Sequence, residues 1–324
     1  MNVFWTLFIL LIFQLPVFSQ DRGILARQAR WFRLEQQTDS IDFIKIGPDL
    51  DQRKPVFLLC QGSLPIPLFL DFGERGIAMI GGGVSNFDLP GILKHYHLIV
   101  ISMPHTPVVV PKSQVDQSYC YLPDPTKPRE FFKPYVEADH LDTYVDRAQI
   151  VWNWLKGQSW VNPNDLVIAG HSQGSKIAAR FALQEKDVTR VGLFAANPFG
   201  RMDQFVRQAR HDAQKGKISW EEADKNMQDH YDFFQKAADS TEHKAMYKTT
   251  MSFSQIFLND WLQLDIPLYL AYGTEDRTSD LCDLVPLFFI QEKKTNLTFK
   301  RYLNLEHNFF EVENERPNYE KAHW

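Results

Sequence analysis

The chain has 324 residues, of which 44% are hydrophobic and 23% charged, with a formal net charge of −5. That is a globular composition, and the length suits one large domain carrying an insertion. No long run of one charge sign is present, which gives neither the basic footprint of a nucleic-acid binder nor a polybasic membrane patch.

Residues 3–13 are almost wholly apolar, and Leu15-Pro16-Val17-Phe18-Ser19 follows before the charged Asp21 and Arg22. Val17 and Ser19 suit the −3 and −1 positions of a signal-peptide cleavage site, with Gln20 as the new N-terminus. The apolar run is short for a transmembrane helix. Residues 1–19 are therefore expected to be a signal peptide that exports the chain to a periplasm or the outside, with no stable membrane span after cleavage. The segment ahead of the run lacks Lys and Arg, so an uncleaved signal that anchors the chain is the alternative. Three cysteines, Cys60, Cys120 and Cys282, have no zinc-site spacing, and an odd number cannot all pair internally. They are read as one disulfide with a spare thiol, or as three thiols.

From there the chain alternates between two periodicities. Residues 24–36 are expected as a short amphipathic helix or an extended arm. Residues 41–47 alternate apolar and polar, the sign of a half-exposed strand, and a turn follows at residues 48–51. Residues 55–60 form an apolar strand ending at Gln61-Gly62-Ser63, then a long Pro- and Gly-rich irregular stretch runs through Gly81-Gly82-Gly83. Residues 88–96 read as a short helix and 97–102 as a buried strand. The proline density of residues 104–134 argues for a loop. A helix is expected over 136–156, a turn at 162–165, a strand over 166–169 and a strand over 188–195. Residues 201–264 are polar, aromatic-rich and almost free of Gly and Pro. Two or three helices forming a lid are expected there. The alternation resumes with a strand at 267–272, a helix at 279–292 and a strand at 297–303. Strands alternating with helices predict a mostly parallel sheet covered on both faces, with ligands gathering beyond the carboxyl ends of the strands.

One stretch carries the chemistry. Gly170-His171-Ser172-Gln173-Gly174 joins a strand to a helix rich in small residues. Such a Gly-x-Ser-x-Gly turn holds the serine strained and projecting above a sheet, and a Cβ at either glycine would crowd the turn. A serine hydroxyl needs a base to take its proton and a group to orient that base. Asp276 follows the penultimate strand in Gly-Thr-Glu-Asp, with Glu275 and Asp280 as rival acids. His307 follows the last strand in Leu-Glu-His-Asn-Phe-Phe. His171 is expected to pack the elbow, His105 to sit in a loop, and Gly81-Gly82-Gly83 to be a flexible turn.

With serine, acid and histidine in that order, the chain resembles the α/β-hydrolases over residues 41–311, interrupted by the expected lid. The resemblance implies an α/β-hydrolase domain over residues 20–324 with a lid at about 201–264. It makes Ser172 the nucleophile, Asp276 the acid and His307 the base. It also implies an oxyanion hole of two backbone N–H groups, one from Gln173 and one from Ser63. The family usually opens that second loop with His-Gly, where this chain has Gln61-Gly62. No metal or organic cofactor is implied.

The expected function is an exported serine hydrolase that cleaves an ester or related acyl bond in a small-molecule substrate through an acyl-enzyme. A peptidase or a thioesterase uses the same machinery. A peptidase would want a carboxylate to grip an amine, for which Glu221 and Glu222 are candidates. A catalytically silent binding protein on the same fold is the third reading.

Overall fold

The structure, a computed structural model, describes residues 19–25, 29–36, 39–47, 52–127, 132–242, 244–314 and 316–322. The expected signal peptide, except Ser19, and the expected turn at 48–51 lie outside these residues.

Strands β1 (Ser19–Leu25), β2 (Ala29–Glu35) and β3 (Ser40–Ile46) make an antiparallel meander. Of the span 24–36, expected as a helix or an extended arm, residues 24–25 and 29–35 are strand, so it is extended and not helical there. The reason is tertiary: Phe32 lies opposite Phe43 in the register, and the two rings stack at 5.2 Å. After β4 (Lys54–Cys60) come β5 (Phe69–Asp71) and β6 (Ile77–Met79), helix α1 (Leu89–His95), β7 (His97–Ile101) and β8 (Val109–Pro111). Strands β6, β5 and β8 form a small three-stranded sheet, so two stretches expected as loop contribute strands. Their buried Phe69, Leu70 and Val110 explain why short, proline-flanked segments are held extended.

Helices α2 (Lys133–Ala138) and α3 (Leu141–Leu155) replace the single expected helix. The break falls at His140, which caps α3 by accepting from the Thr143 N–H. Then follow β9 (Val161–His171), α4 (Gln173–Gln184) and β10 (Val188–Phe194). Four helices, not two or three, lie among the described residues of 201–264: α5 (Arg201–Gln214), α6 (Trp220–Asp239), α7 (Ala245–Phe253) and α8 (Leu258–Gln263). Helices α5 and α6 pair with each other, α7 packs on α6 and also on α2 and α3, and α8 packs on α4. The chain closes with β11 (Leu268–Gly273), α9 (Val285–Gln291), β12 (Leu297–Tyr302) and the hairpin β13 (Phe310–Glu313) and β14 (Arg316–Ala322). None of the helices among the described residues is long and apolar enough to cross a membrane.

The main sheet has the order β1-β2-β3-β7-β4-β9-β10-β11-β12. Its members from β7 to β12 run parallel. Alternate residues supply its two faces, as the pleat requires. Leu58, Ile99 and Ile168 face a core built with α3, α4, α8 and α9, including the fully buried Trp152, Phe181 and Trp261. Leu59, Val100 and Ala169 face a second core covered by α1 and the small sheet. Helices therefore lie on both faces. The register aligns Cys60 with Gly170, His171 with Phe194, Phe194 with Ala271 and Gly273 with Tyr302. The segments leaving β4, β9, β11 and β12 consequently emerge together at one edge.

Candidate active site

Ser172 sits between β9 and α4 with φ 56° and ψ −121°. This backbone conformation is strained for any residue with a Cβ. Two contacts impose it. The Ser172 N–H donates to the Phe194 carbonyl at 2.9 Å, and the Ser172 carbonyl accepts from the Ser175 hydroxyl at 2.6 Å. The flanking glycines let the helix close onto the sheet. A Cβ on Gly170 would lie 1.9 Å from the Gly174 carbonyl oxygen, and one on Gly174 would lie 2.1 Å from that of Cys60.

The segment after β12 brings His307 to this turn. His307 Nε2 is 2.9 Å from Ser172 Oγ, and its Nδ1 is 2.8 Å from Asp276 Oδ2. The loops holding the acid and the base are joined along their backbones: Thr274 N–H donates to Tyr302 O, and Glu275 N–H to Leu305 O, each at 2.9 Å. Gly273 makes this approach possible, since a Cβ there would sit 2.0 Å from the Leu305 carbonyl oxygen. Of the three candidate carboxylates, Asp276 is the one at His307. Glu275 is exposed, and Asp280 pairs with Arg207.

Asp276 is 2% exposed and receives hydrogen bonds from the Thr278 N–H and hydroxyl and from the Ser279 hydroxyl. Burial opposes its ionisation, but the hydrogen bonds and charge of His307, with those hydroxyls, outweigh burial and hold its pKa at about 2. Burial likewise favours a neutral His307, and the hydrogen bond and charge of Asp276 outweigh it, so the imidazole pKa lies above its ordinary value. Thirty per cent of the His307 side chain remains exposed, which leaves it reachable from solvent.

Sequence reasoning missed the supports around these groups. His171 is buried at the elbow, as expected of a packing residue, but it also donates from Nε2 to the His307 carbonyl at 2.8 Å. Burial, then the neighbouring His307, pushes its pKa down to about 4, so it is neutral and its Nε2 carries the proton. Gln61, where the family usually has His, donates from Nε2 to the Ile101 carbonyl and accepts at Oε1 from the Gly82 N–H at 2.8 Å. Gly81-Gly82-Gly83, expected to be a flexible turn, is thereby tied to the loop after β4, and all three line a cavity with Ser172 and His307. Thr278 and Ser279 had a legible signal, being hydroxyls two and three residues after an Asp, the spacing of a local side-chain turn. Gln61 and His171 had none, because their partners lie 21 and 136 residues away.

Ser63 and Gln173, the expected oxyanion donors, line one cavity together with Ser172. Gln173 opens α4, where the N–H groups have no partner within the helix. The loop carrying Ser63 passes close to the turn: a Cβ on Gly62 would lie 3.6 Å from that of Ser172. His105 is placed elsewhere, with Nδ1 3.4 Å from Asp39. Glu221 and Glu222 lie exposed in the first turn of α6. Cys60, Cys120 and Cys282 are buried free thiols.

No family model matches the sequence, and no curated protein matches it. Solved structures do. The chain is similar to an acylaminoacyl peptidase from Pyrococcus horikoshii at 13% identity and a TM-score of 0.50, covering 86% of this chain and 37% of that one. It is also similar to acetyl xylan esterase 1 from Thermoanaerobacterium sp. JW/SL YS485, at 12% identity and a TM-score of 0.48, over 90% and 82% of the two chains. A third is the thioesterase domain from the curacin biosynthetic pathway, at 15% identity and a TM-score of 0.47, over 86% and 94%. At these identities the likeness concerns the fold, which is that of the α/β-hydrolases.

Proposed function

We propose that this chain is a serine hydrolase that cleaves an ester or related acyl bond through an acyl-enzyme on Ser172. The observation carrying the reading is the continuous chain Ser172–His307–Asp276, with contacts of 2.9 and 2.8 Å. In the acylation step Ser172 Oγ attacks the substrate carbonyl carbon while its proton passes to His307 Nε2. The carbonyl oxygen, now an oxyanion, accepts from the N–H groups of Gln173 and Ser63, one such donor being worth about 3 kcal/mol. Asp276 fixes the ring by accepting from Nδ1 and stabilises the imidazolium. The intermediate collapses as His307 returns the proton to the leaving oxygen. Water then attacks the acyl-serine, with His307 as base again, and releases the acid.

Ester, thioester and amide bonds all fit this scheme. Neither acid named for an amine grip, Glu221 or Glu222, lines either cavity at Ser172, so the ester reading is preferred. Labelling by a fluorophosphonate probe tests the proposal. The wild-type chain should be labelled and Ser172→Ala should not, and a wild-type chain that stays unlabelled would favour a silent binding protein. We also propose export, on the apolar run and the Val17/Ser19 cleavage pattern. N-terminal sequencing of the mature chain should then read from Gln20, and a retained residue 1 would mean an uncleaved anchor.

A further inference from the structure

Two cavities open on Ser172. The larger, about 420 Å³, is lined by Gly62, Ile80, Gly82, His307 and Phe310 among others. The smaller, about 60 Å³, is lined by Ser63, Gln173, Lys176, Asn197, Arg201 and Gln204. His307 lines the first and not the second. A leaving oxygen must lie within reach of His307 to take its proton. The leaving group therefore belongs in the larger cavity, and the acyl group in the smaller one.

The walls of that smaller cavity do not suit an alkyl chain. They are nearly all polar, and two carry basic groups. Arg201 opens α5, the first helix of the insertion. Its guanidinium donates to Gln173 Oε1 and lies over the Phe253 ring, 5.0 Å from the centroid. Lys176 stands one turn into α4 and is 4% exposed. Its Nζ donates to the Phe253 carbonyl at 3.0 Å and lies 5.2 Å from the centre of the Phe257 ring. Among the described residues neither cation pairs with a carboxylate. Asp203 is taken by Arg207 at 2.8 Å, and Asp139 accepts from the Tyr144 hydroxyl at 2.8 Å and from Gln173. A buried cation without a counter-ion is costly. Burial, then Arg201, pushes Lys176 down to about 7, the charge of Asp203 offsetting only part of this, and an anion beside it would raise it again. A guanidinium has five N–H donors in a plane suited to a carboxylate.

We infer that the small cavity receives a carboxylate at the end of a short acyl group, which makes the preferred substrate a half-ester of a small dicarboxylic acid. The cavity has room for only a few heavy atoms and includes Ser172 in its wall, so the acid lies a few bonds from the scissile carbonyl. The inference rests on Ser172 as nucleophile.

The test compares monoethyl succinate with its neutral isostere ethyl 4-methylpentanoate, both followed by titration of the acid released. Charge-assisted hydrogen bonds predict that the wild-type chain prefers the half-ester by about tenfold or more in kcat/KM. In Arg201→Gln this ratio should fall to about one. Equal turnover of both esters by the wild-type chain would overturn the inference. So would a preference that survives in Arg201→Gln while both rates fall together, because Arg201 would then be serving the oxyanion. Calorimetric titration of succinate into Ser172→Ala gives a readout without turnover: binding should be seen there and weaken at least tenfold when Arg201→Gln is added, and unchanged binding would also overturn it. If the fluorophosphonate probe does not label the wild-type chain, the nucleophile reading fails and the acyl assignment falls with it; a labelled chain that cleaves neither ester overturns the half-ester inference alone. Cleavage without preference leaves the nucleophile standing and removes the subsite alone.

Discussion

The imidazole of His171 donates a hydrogen bond to the backbone carbonyl of His307 at 2.8 Å. The residue before the candidate nucleophile thus holds the main chain of the candidate base, although 136 positions separate them in sequence. The two rings lie 5.0 Å apart, and Phe309 packs against His171 at 6.2 Å.

This contact predicts that His171→Phe keeps the ring packing and loses activity. The His307 carbonyl would be left without its donor, and the base would drift from Ser172. A displacement of about 1 Å costs on the order of a hundredfold in rate. The second-order rate of fluorophosphonate labelling should fall by roughly tenfold to a hundredfold, and an unchanged rate would show that the contact positions nothing.

Gln61 ties the loop bearing Ser63 to the buried Gly82 and to Ile101. Gln61→Ala leaves the Gly82 N–H and the Ile101 carbonyl unpaired, which predicts a loss of about 1–3 kcal/mol of stability. Urea denaturation measures it. Gln61→His restores the residue usual in the resembled family, yet it cannot both donate to Ile101 and accept from Gly82 with the geometry of a planar amide. It should recover less than half of the loss.

The raised His307 pKa sets opposite pH trends for activity and stability. The base must be neutral to take the serine proton, so kcat/KM should rise with pH through a midpoint above the ordinary 6.5. Protonated His307 is the form that Asp276 stabilises. That contribution is complete below the unfolded pKa and is lost as pH rises through the folded one. Melting temperature should therefore decline slightly over the same interval in which activity appears. A flat rate profile from pH 5 to 8 would remove His307 as the base.

Strain at Ser172 gives a comparison of two inactive variants. Ser172→Ala and Ser172→Gly both lose the hydroxyl and its bond to His307, but only glycine tolerates φ 56° with ψ −121°. Relief of about 1–3 kcal/mol of strain, less about 0.5–1 kcal/mol for the entropy of glycine in the unfolded chain, should leave Ser172→Gly more stable than Ser172→Ala by about 1 kcal/mol. Equal midpoints in chemical denaturation would mean the turn stores no strain.

The alternation of strands and helices, the Gly-x-Ser-x-Gly turn, and an acid and a histidine each beyond a late strand were legible in the linear chain, because they depend on local periodicity and on residue type at strand ends. Those patterns carried the mostly parallel fold and the residues Ser172, Asp276 and His307 as candidates. Three things depended on pairing at long range and were decided by the tertiary structure alone. Residues 29–35 became strand because β3 was there to pair with them. Asp276, and not Glu275 or Asp280, met His307 because Gly273 lets the Leu305 carbonyl pass where a Cβ would lie 2.0 Å away. And Arg201, which nothing in its neighbourhood marks as functional, joined Lys176 beside Ser172 because the segment after β10 leaves the sheet at the same edge as the nucleophile turn. A sequence shows which side chains a strand end presents. Which of them touch is set by sheet register and by the close approaches that only glycine permits.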